Sequence, residues 1–144
     1  MGFNMELNQY KKELEEELKN ILDYWMNNTI DLQYGGFIGK IDDKNIIYPE
    51  APKGSVLNAR ILWTFSAAYN KTREKKFLLI ADRAFEYLHT CFIDKEYGGV
   101  YWTVDYTGQP LDTKNQVYAL AFVIYACSEY HKCTGNEKSK TGRG

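Results

Sequence analysis

One arginine, Arg60, is placed where a charged side chain is expected to do chemistry. It is the only charged residue between Gly54 and Asn70, a segment that is apolar on nearly every side when it is drawn as a helix. A guanidinium buried without a partner costs several kcal/mol, so we expect Arg60 to meet an acid, backbone carbonyls or a polar cavity. A cation in a polar cavity stabilises negative charge that develops on a bound oxygen. The alternative is a buried structural ion pair.

Residue types that bind metals or act as nucleophiles are present but do not cluster. His89 and His131 have no second histidine, cysteine or carboxylate at the spacing of a metal site, so we interpret them as surface or packing residues. The three cysteines form no Cys-x-x-Cys pair, which is typical of reduced cysteines in a cytosolic protein. The stretch Asp42-Asp43-Lys44-Asn45 predicts a turn rather than a calcium loop, which would need further oxygen ligands. The sequence therefore predicts neither a metal site nor a cofactor.

The composition indicates one globular domain. The chain has 144 residues, a net charge of −1 and 44% hydrophobic residues, which is too apolar for a disordered protein. The near-neutral charge argues against nucleic-acid binding. No apolar run is long enough to span a membrane or to form a secretory signal, so we expect a cytoplasmic protein. Aromatic residues make up 15% of the chain; they suit sugar surfaces but also fill ordinary cores.

Hydrophobic spacing predicts four helices of two alternating kinds. The first and third carry a single apolar stripe, and the second and fourth are apolar on almost all sides, which predicts that they are covered all round. Their expected bounds are residues 5–28, 54–70, 74–92 and 113–133. Asp112 or Thr113 is expected to cap the start of the fourth helix.

Two copies of one unit make up the chain. Tyr34-Gly35-Gly36 recurs later as Tyr97-Gly98-Gly99, and each copy begins a predicted β-hairpin, over Tyr34–Asn45 and Tyr97–Gly108. Four further residues recur together at a nearly equal spacing: Lys53, Val56, Tyr69 and Lys71 match Lys114, Val117, Tyr130 and Lys132. Each unit is thus a striped helix, a hairpin and an apolar helix.

The two kinds of helix predict an all-α fold, an α/α toroid with striped helices outside and apolar helices inside. The hairpins and loops gather at one mouth, where the starts of the inner helices line a cleft. Two helix pairs do not close such a ring. We therefore expect residues 1–137 to be the amino-terminal part of a longer domain and residues 138–144 to be an irregular tail.

Three blocks of the sequence resemble cellobiose 2-epimerases, which belong to the N-acylglucosamine 2-epimerase superfamily. The blocks are Ala51–Tyr69, Tyr97–Trp102 and Asp112–Phe122. The resemblance extends over roughly residues 5 to 137, or about the first third of a complete family member. It implies an (α/α)6 barrel, present here as an incomplete piece of two helix pairs with short β-hairpins.

The resemblance also implies a reaction, the inversion of C2 in the reducing-end sugar of a β-1,4-linked disaccharide such as cellobiose. The sugar ring opens, a base removes the C2 proton to give an enediolate, and a proton returns on the other face. The acid and base of the family are histidines of later helices, beyond residue 144. No catalytic residue is therefore expected in this chain, which should be inactive alone.

Two substrate-binding residues carry over from the resemblance. Arg60 matches the family arginine that contacts the oxygens of the reacting sugar and would stabilise the enediolate. Tyr118 matches a tyrosine that lines the same pocket, with a core aromatic residue as the alternative reading. The expected partners are a disaccharide and the missing carboxy-terminal part of the barrel, and neither nucleic acid nor a membrane is expected.

Three other functions stay open. The chain fits the N-acylglucosamine branch of the superfamily as well. An (α/α)6 glycoside hydrolase or lyase would need a pair of carboxylates facing the cavity, and neither apolar helix offers an acid on its expected cleft side. The non-enzymatic alternative is a helical fragment that binds a carbohydrate or a protein partner.

Overall fold

Four α-helices and three short strands form the regular structure of residues 2–134, the part of the chain that the structure, a computed structural model, describes. In chain order they are α1 (Gly2–Asn28), β1 (Lys53–Gly54), α2 (Ser55–Thr72), α3 (Lys75–Tyr87), β2 (Thr103–Val104), β3 (Pro110–Asp112) and α4 (Val117–Thr134). A π-helical turn, Leu88–Phe92, continues α3. The four predicted helices are therefore confirmed, and the predicted third helix changes its hydrogen-bond pattern at Leu88. None of the described helices combines the length and hydropathy that a membrane span requires.

The start of the fourth helix was predicted wrongly. Helix α4 begins at Val117, so neither Asp112 nor Thr113 caps it. Asp112 instead ends β3, where its N–H bonds to Thr103 Oγ1 at 3.2 Å and its carboxylate accepts the N–H of Lys114 at 3.0 Å. Strand pairing thus holds Asp112, which the sequence alone predicts as a possible helix cap.

Helix α1 forms a compact unit by itself, and the described residues from Asp31 onward form a second unit. The predicted stop at the end of α1 is confirmed, because the helix ends at Asn28. The side chains of Asn28 and Thr29 donate to the carbonyl oxygens of Tyr24 and Trp25, at 2.9 and 2.6 Å. The Thr29 N–H also donates to the Trp25 carbonyl oxygen, at 3.1 Å, so these bonds reinforce the last turn of the helix.

The second unit is built around α2. Helices α3 and α4 both pack against α2. Phe65 of α2 contacts Phe77 of α3, and both rings are fully buried, each contributing about 1.5–3 kcal/mol relative to exposure. Towards the ends of α2 and α4, the Asn70 amide donates to the backbone and carboxylate of Glu129. These contacts place α2 and α4 side by side with α3 on one side of them.

The two sequence repeats fold alike in the turns that contain the glycine pairs. We call Asp31–Gly36 the first turn and Asp94–Gly99 the second turn. In each, the aspartate carboxylate accepts two backbone N–H bonds of 2.9–3.0 Å from the residues two and three positions later. The N–H of the first glycine bonds to the aspartate carbonyl oxygen, and both glycines of each turn have positive φ. The predicted repeat is therefore confirmed.

The predicted hairpins begin later than expected, because each glycine pair belongs to a turn that precedes the hairpin. In the first repeat a single bridge pairs Ile41 with Ile47. In the second repeat β2 and β3 pair antiparallel, and β1 pairs with the other edge of β2. The N–H and Oγ of Ser55 both bond to the Trp102 carbonyl oxygen at 3.1 Å. This small sheet fixes the start of α2 against the second repeat.

Candidate functional site

A hollow of about 350 Å³ lies between the inner helices α2 and α4. It is lined by Ala59, Arg60, Trp63, Thr64, Phe122 and Tyr125. We call it the Arg60 hollow. Its volume is within the range of small-molecule sites, about 300–1,000 Å³.

Four of the six lining residues belong to matching stripes on the two inner helices: Arg60, Trp63, Thr64 and Tyr125. Residues spaced three and four apart lie on one face of a helix, and the sequence repeat places the same face of α2 and α4 on the same side. On α2 the stripe is Val56, Leu57, Arg60, Trp63, Thr64 and Ala67; on α4 it is Val117, Tyr118, Ala121, Ile124, Tyr125 and Ser128. All six stripe residues of α4 are exposed. The prediction that this helix is covered all round is therefore wrong within residues 2–134.

Arg60 lines the hollow but is not buried, contrary to the expectation from the sequence. Its side chain is exposed, and within residues 2–134 it forms neither a hydrogen bond nor an ion pair. Its backbone neighbour Ala59 is fully buried and fixes the helix face from which the side chain projects. The five N–H donors of the guanidinium are thus not engaged by any other residue within 2–134.

Tyr118 lies beside the hollow rather than in its lining. Its ring meets Phe122 edge to face, with centroids 4.9 Å apart and an interplanar angle of 67°. Phe122 lines the hollow, so Tyr118 borders it through this contact. Because the Tyr118 side chain is 58% exposed, the reading of it as a core aromatic does not hold among the described residues.

Two further aromatic residues in the hollow were not singled out from the sequence. Trp63 and Tyr125 stack across the two helices, with centroids 6.0 Å apart and an interplanar angle of 13°. Trp63 lies three residues after Arg60, and this helical spacing was the signal that could have identified it. Aromatic faces of this kind pack against the C–H groups of a sugar ring while its hydroxyls bond to polar neighbours.

The Arg60 hollow is equipped for binding rather than for proton transfer. Its six lining residues include one cation, two side-chain hydroxyls and an indole N–H, but no carboxylate, imidazole or thiol. His89 lies elsewhere, exposed and stacked on Phe85, in agreement with the predicted surface or packing role. Among residues 2–134 no three histidine, cysteine or acidic side chains are grouped as a metal site requires.

A buried ion pair, also not predicted, holds the first turn close to the start of α2. Lys53 is fully buried, and its ammonium lies 2.8 Å from Asp31 Oδ2 and 2.8 Å from the Gly35 carbonyl oxygen. Burial would raise the pKa of the Asp31 carboxyl, but Lys53 and the N–H groups of Tyr34 and Gln33 outweigh it and hold the pKa below its ordinary value. This pair is a structural element that positions β1 and α2.

The inner helices α2 and α4 pack against each other, and the outer helix α3 packs against α2. Together with the glycine turns, this arrangement is that of an α/α toroid of the (α/α)6-barrel type. The described residues form an incomplete piece of it, as the sequence predicted. The sequence profile of N-acylglucosamine 2-epimerase (GlcNAc 2-epimerase) matches residues 36–143. The chain belongs to this family.

Three individual proteins show which members of the family this chain is similar to. A cellobiose 2-epimerase from Bacteroides fragilis is 48% identical over 130 residues, which are 90% of this chain and 33% of that protein. The structure of a cellobiose 2-epimerase from Bacillus thermoamylovorans B4167 matches with a TM-score of 0.87 and 37% identity, over 92% of this chain and 34% of that one. A D-mannose isomerase from Marinomonas mediterranea is 30% identical over 115 residues, 80% of this chain and 28% of that protein. The chain thus spans about a third of the length of these relatives.

Proposed function

We propose that the chain forms the first third of a sugar 2-epimerase that acts on cellobiose-type β-1,4 disaccharides. In this proposal Arg60 and Tyr118 belong to the wall of the substrate cleft. The observation that carries it is Arg60 itself, an unpaired cation in an aromatic hollow of sugar size. The similarity to cellobiose 2-epimerases over nine-tenths of the chain supports the reaction.

Arg60 has the properties that the reaction demands of an oxyanion-binding group. Removal of the C2 proton places negative charge on the oxygens of the opened sugar, and a guanidinium donates two parallel N–H bonds to such oxygens. Since no bond within residues 2–134 engages Arg60, these donors are available without breaking an existing contact. Loss of one donor of this type costs about 10²–10³ in kcat in other enzymes.

The aromatic residues have a different task in the proposal. Trp63 and Tyr125 form a stacked pair beside Arg60, so they hold the sugar ring by its apolar face while the guanidinium holds its oxygens. Tyr118 adds a hydroxyl at the edge of the hollow. This division of labour fixes the orientation of the sugar relative to the cation.

The acid and base must come from the remainder of the protein. The residues that line the hollow include no carboxylate, imidazole or thiol that could transfer the C2 proton near neutral pH. The reaction uses two side-chain groups with pKa values near neutrality and no cofactor. The chain alone therefore binds but does not convert the sugar.

A chimera tests the proposal. The present sequence replaces the segment that it matches in the B. fragilis cellobiose 2-epimerase, and the purified chimera, the isolated chain and the unaltered B. fragilis protein are incubated with cellobiose. We expect the chimera to produce the glucosyl-mannose epimer and the isolated chain to produce none. A chimera that folds but is inactive would contradict the proposal, as would turnover by the isolated chain.

The D-mannose isomerase relative supplies a second candidate, an aldose–ketose isomerase of a monosaccharide. That reaction shares the enediolate but returns the proton to C1 instead of C2. Incubating the same chimera with cellobiose, D-mannose and N-acetylglucosamine separates these candidates and the N-acylglucosamine branch. We expect the highest kcat/KM with cellobiose, whereas a preference for D-mannose would favour the second candidate.

A further inference from the structure

The first turn is held by three side chains from other elements. Lys53 bonds to Asp31 and Gly35, as described above. Arg83 of α3 donates from Nε to the Gly36 carbonyl oxygen at 2.9 Å and from Nη2 to the Asp31 carbonyl oxygen at 2.6 Å. The Tyr87 ring covers the glycine pair so closely that a Cβ at Gly36 would lie 2.6 Å from it. Arg83 and Tyr87 are four residues apart and act from one face of α3.

The second turn has the same backbone but lacks these contacts. Lys114, the counterpart of Lys53, is 58% exposed at its side chain and lies 3.7 Å from Asp112 instead. A Cβ at Gly98 would meet nothing within 4 Å. Among residues 2–134 no arginine donates to the carbonyl oxygens of Asp94 and Gly99, which accept only the N–H bonds of the turn itself. The two glycine pairs are 63 positions apart (98 − 35), and positions 63 residues after Arg83 and Tyr87 are not among the 144 residues.

An apolar groove of about 490 Å³ adjoins the second turn. Its apolar lining includes Phe85, Leu88, Ile93, Leu120, Val123 and Ile124. Ile93 connects the groove to Asp94, the first residue of the turn. When the two repeats are aligned on their inner helices, Leu120 and Val123 of α4 correspond to Ala59 and Leu62 of α2, which are fully buried in the second unit. Val123 is itself buried, but Leu120 is half-buried and Ile124 is exposed, so this part of the groove is less covered than the corresponding surface of α2.

We infer that the second turn and this groove form a docking site for one amphipathic helix that carries an arginine and, four residues later, a tyrosine. The arginine donates to the carbonyl oxygens of Asp94 and Gly99, and the tyrosine ring covers Gly98 and displaces the exposed Asn115 amide, which now lies against Gly99. Lys114 turns from Asp112 to Asp94 and Gly98. The occupant is the outer helix of a further repeat, which rests on the proposed membership of a longer epimerase; the apolar face of that helix fills the groove.

A peptide with the sequence of α3 and its π-helical extension can test this inference, because it carries the arginine and the tyrosine at the required spacing, Arg83 and Tyr87. A synthetic peptide of residues 74–93 is titrated into the full 15N-labelled chain, and the amide signals of Gly98 and Gly99 are compared with those of Gly35 and Gly36. We expect shifts at the second turn, with affinity at least tenfold weaker for the R83A and Y87A peptides. In the chain, Lys114→Met should weaken binding several-fold, and Lys44→Met, at an exposed lysine outside the second turn and the groove, should not.

Three results would overturn the inference. The first is no binding up to millimolar peptide, and the second is binding at Gly35 and Gly36 alone, which means that the peptide only replaces the chain's own α3. The third is an affinity that R83A and Y87A leave unchanged, which means that the groove accepts any amphipathic helix. Binding is read without activity, so an inactive chimera and a failed titration are separate outcomes.

The chimera gives a second, independent readout, because there the site meets the corresponding helix of the B. fragilis protein. We expect Lys114→Met to lower the Tm of the chimera by several degrees, and Lys44→Met to leave it within a degree. Equal Tm values for the two variants would contradict the inference even if the peptide binds.

Discussion

The first and second turns have the same local geometry and opposite surroundings. In both, an aspartate carboxylate accepts two N–H bonds and two glycines adopt positive φ. The first turn is covered by Lys53, Arg83 and Tyr87, whereas at the second turn only the exposed Asn115 amide lies against Gly99 among the described neighbours of its glycine pair. The comparison shows that six residues suffice to form the turn, whereas burying it requires residues from β1 and α3.

Burial around the first turn also shifts the pKa values of two nearby side chains, Tyr87 and Cys91. Burial raises the pKa of the Tyr87 hydroxyl, with a further contribution from the neighbouring Cys91, and it raises the pKa of the Cys91 thiol. Both groups are therefore neutral at physiological pH. The ion pair of Lys53 and Asp31 is in contrast charged on both sides, so each partner depends on the other for its stability in the interior.

The largest effect is expected from breaking this pair. Lys53→Met leaves the Asp31 carboxylate buried without a cation, and we expect a loss of about 3–5 kcal/mol in the free energy of unfolding. In the isolated chain, Lys114→Met is the matched control in the second repeat; because its ion pair there is exposed, we expect a change within about 0.5 kcal/mol. Urea denaturation of both variants measures the difference. Equal losses would show that the two turns do not differ as the structure indicates.

A smaller effect is expected from the glycines. Gly36→Ala and Gly98→Ala both place a Cβ at positive φ, which costs about 1–2 kcal/mol. Only Gly36→Ala also drives the new methyl group into the Tyr87 ring, which adds about 1–3 kcal/mol. Thermal unfolding of the two variants should therefore rank Gly36→Ala as the less stable. The reverse order would contradict the assignment of Tyr87 as the cover of the first turn.

Patterns that repeat along the chain predicted most of the fold. Helical spacing identified all four helices, and the Tyr-Gly-Gly pairs identified the repeat, because both depend on residues close in sequence. The predicted start of α4 was wrong because Asp112 pairs with β2 as part of β3 instead of capping the helix. The Lys53–Asp31 pair was missed because it joins residues 22 positions apart whose burial no local pattern reveals.

The candidate site was predicted in part. Arg60 was singled out because a charge in an apolar helix requires a reason, and the structure places it in a hollow. Its burial was predicted wrongly, since the exposure of an inner face depends on which elements cover it and not on the composition of the helix. The role of Arg60 and Tyr118 in binding a sugar remains a prediction.

The kcat of the chimera on cellobiose tests the role of Arg60 most directly. Arg60→Ala should lower kcat by about 10²–10³, because the enediolate loses its cation, and Arg60→Lys should restore part of the rate. Lys71→Ala, an exposed cation on the same helix, should leave kcat unchanged. If Arg60→Ala retains kcat within a few-fold of the unaltered chimera, the Arg60 hollow does not bind the reacting sugar.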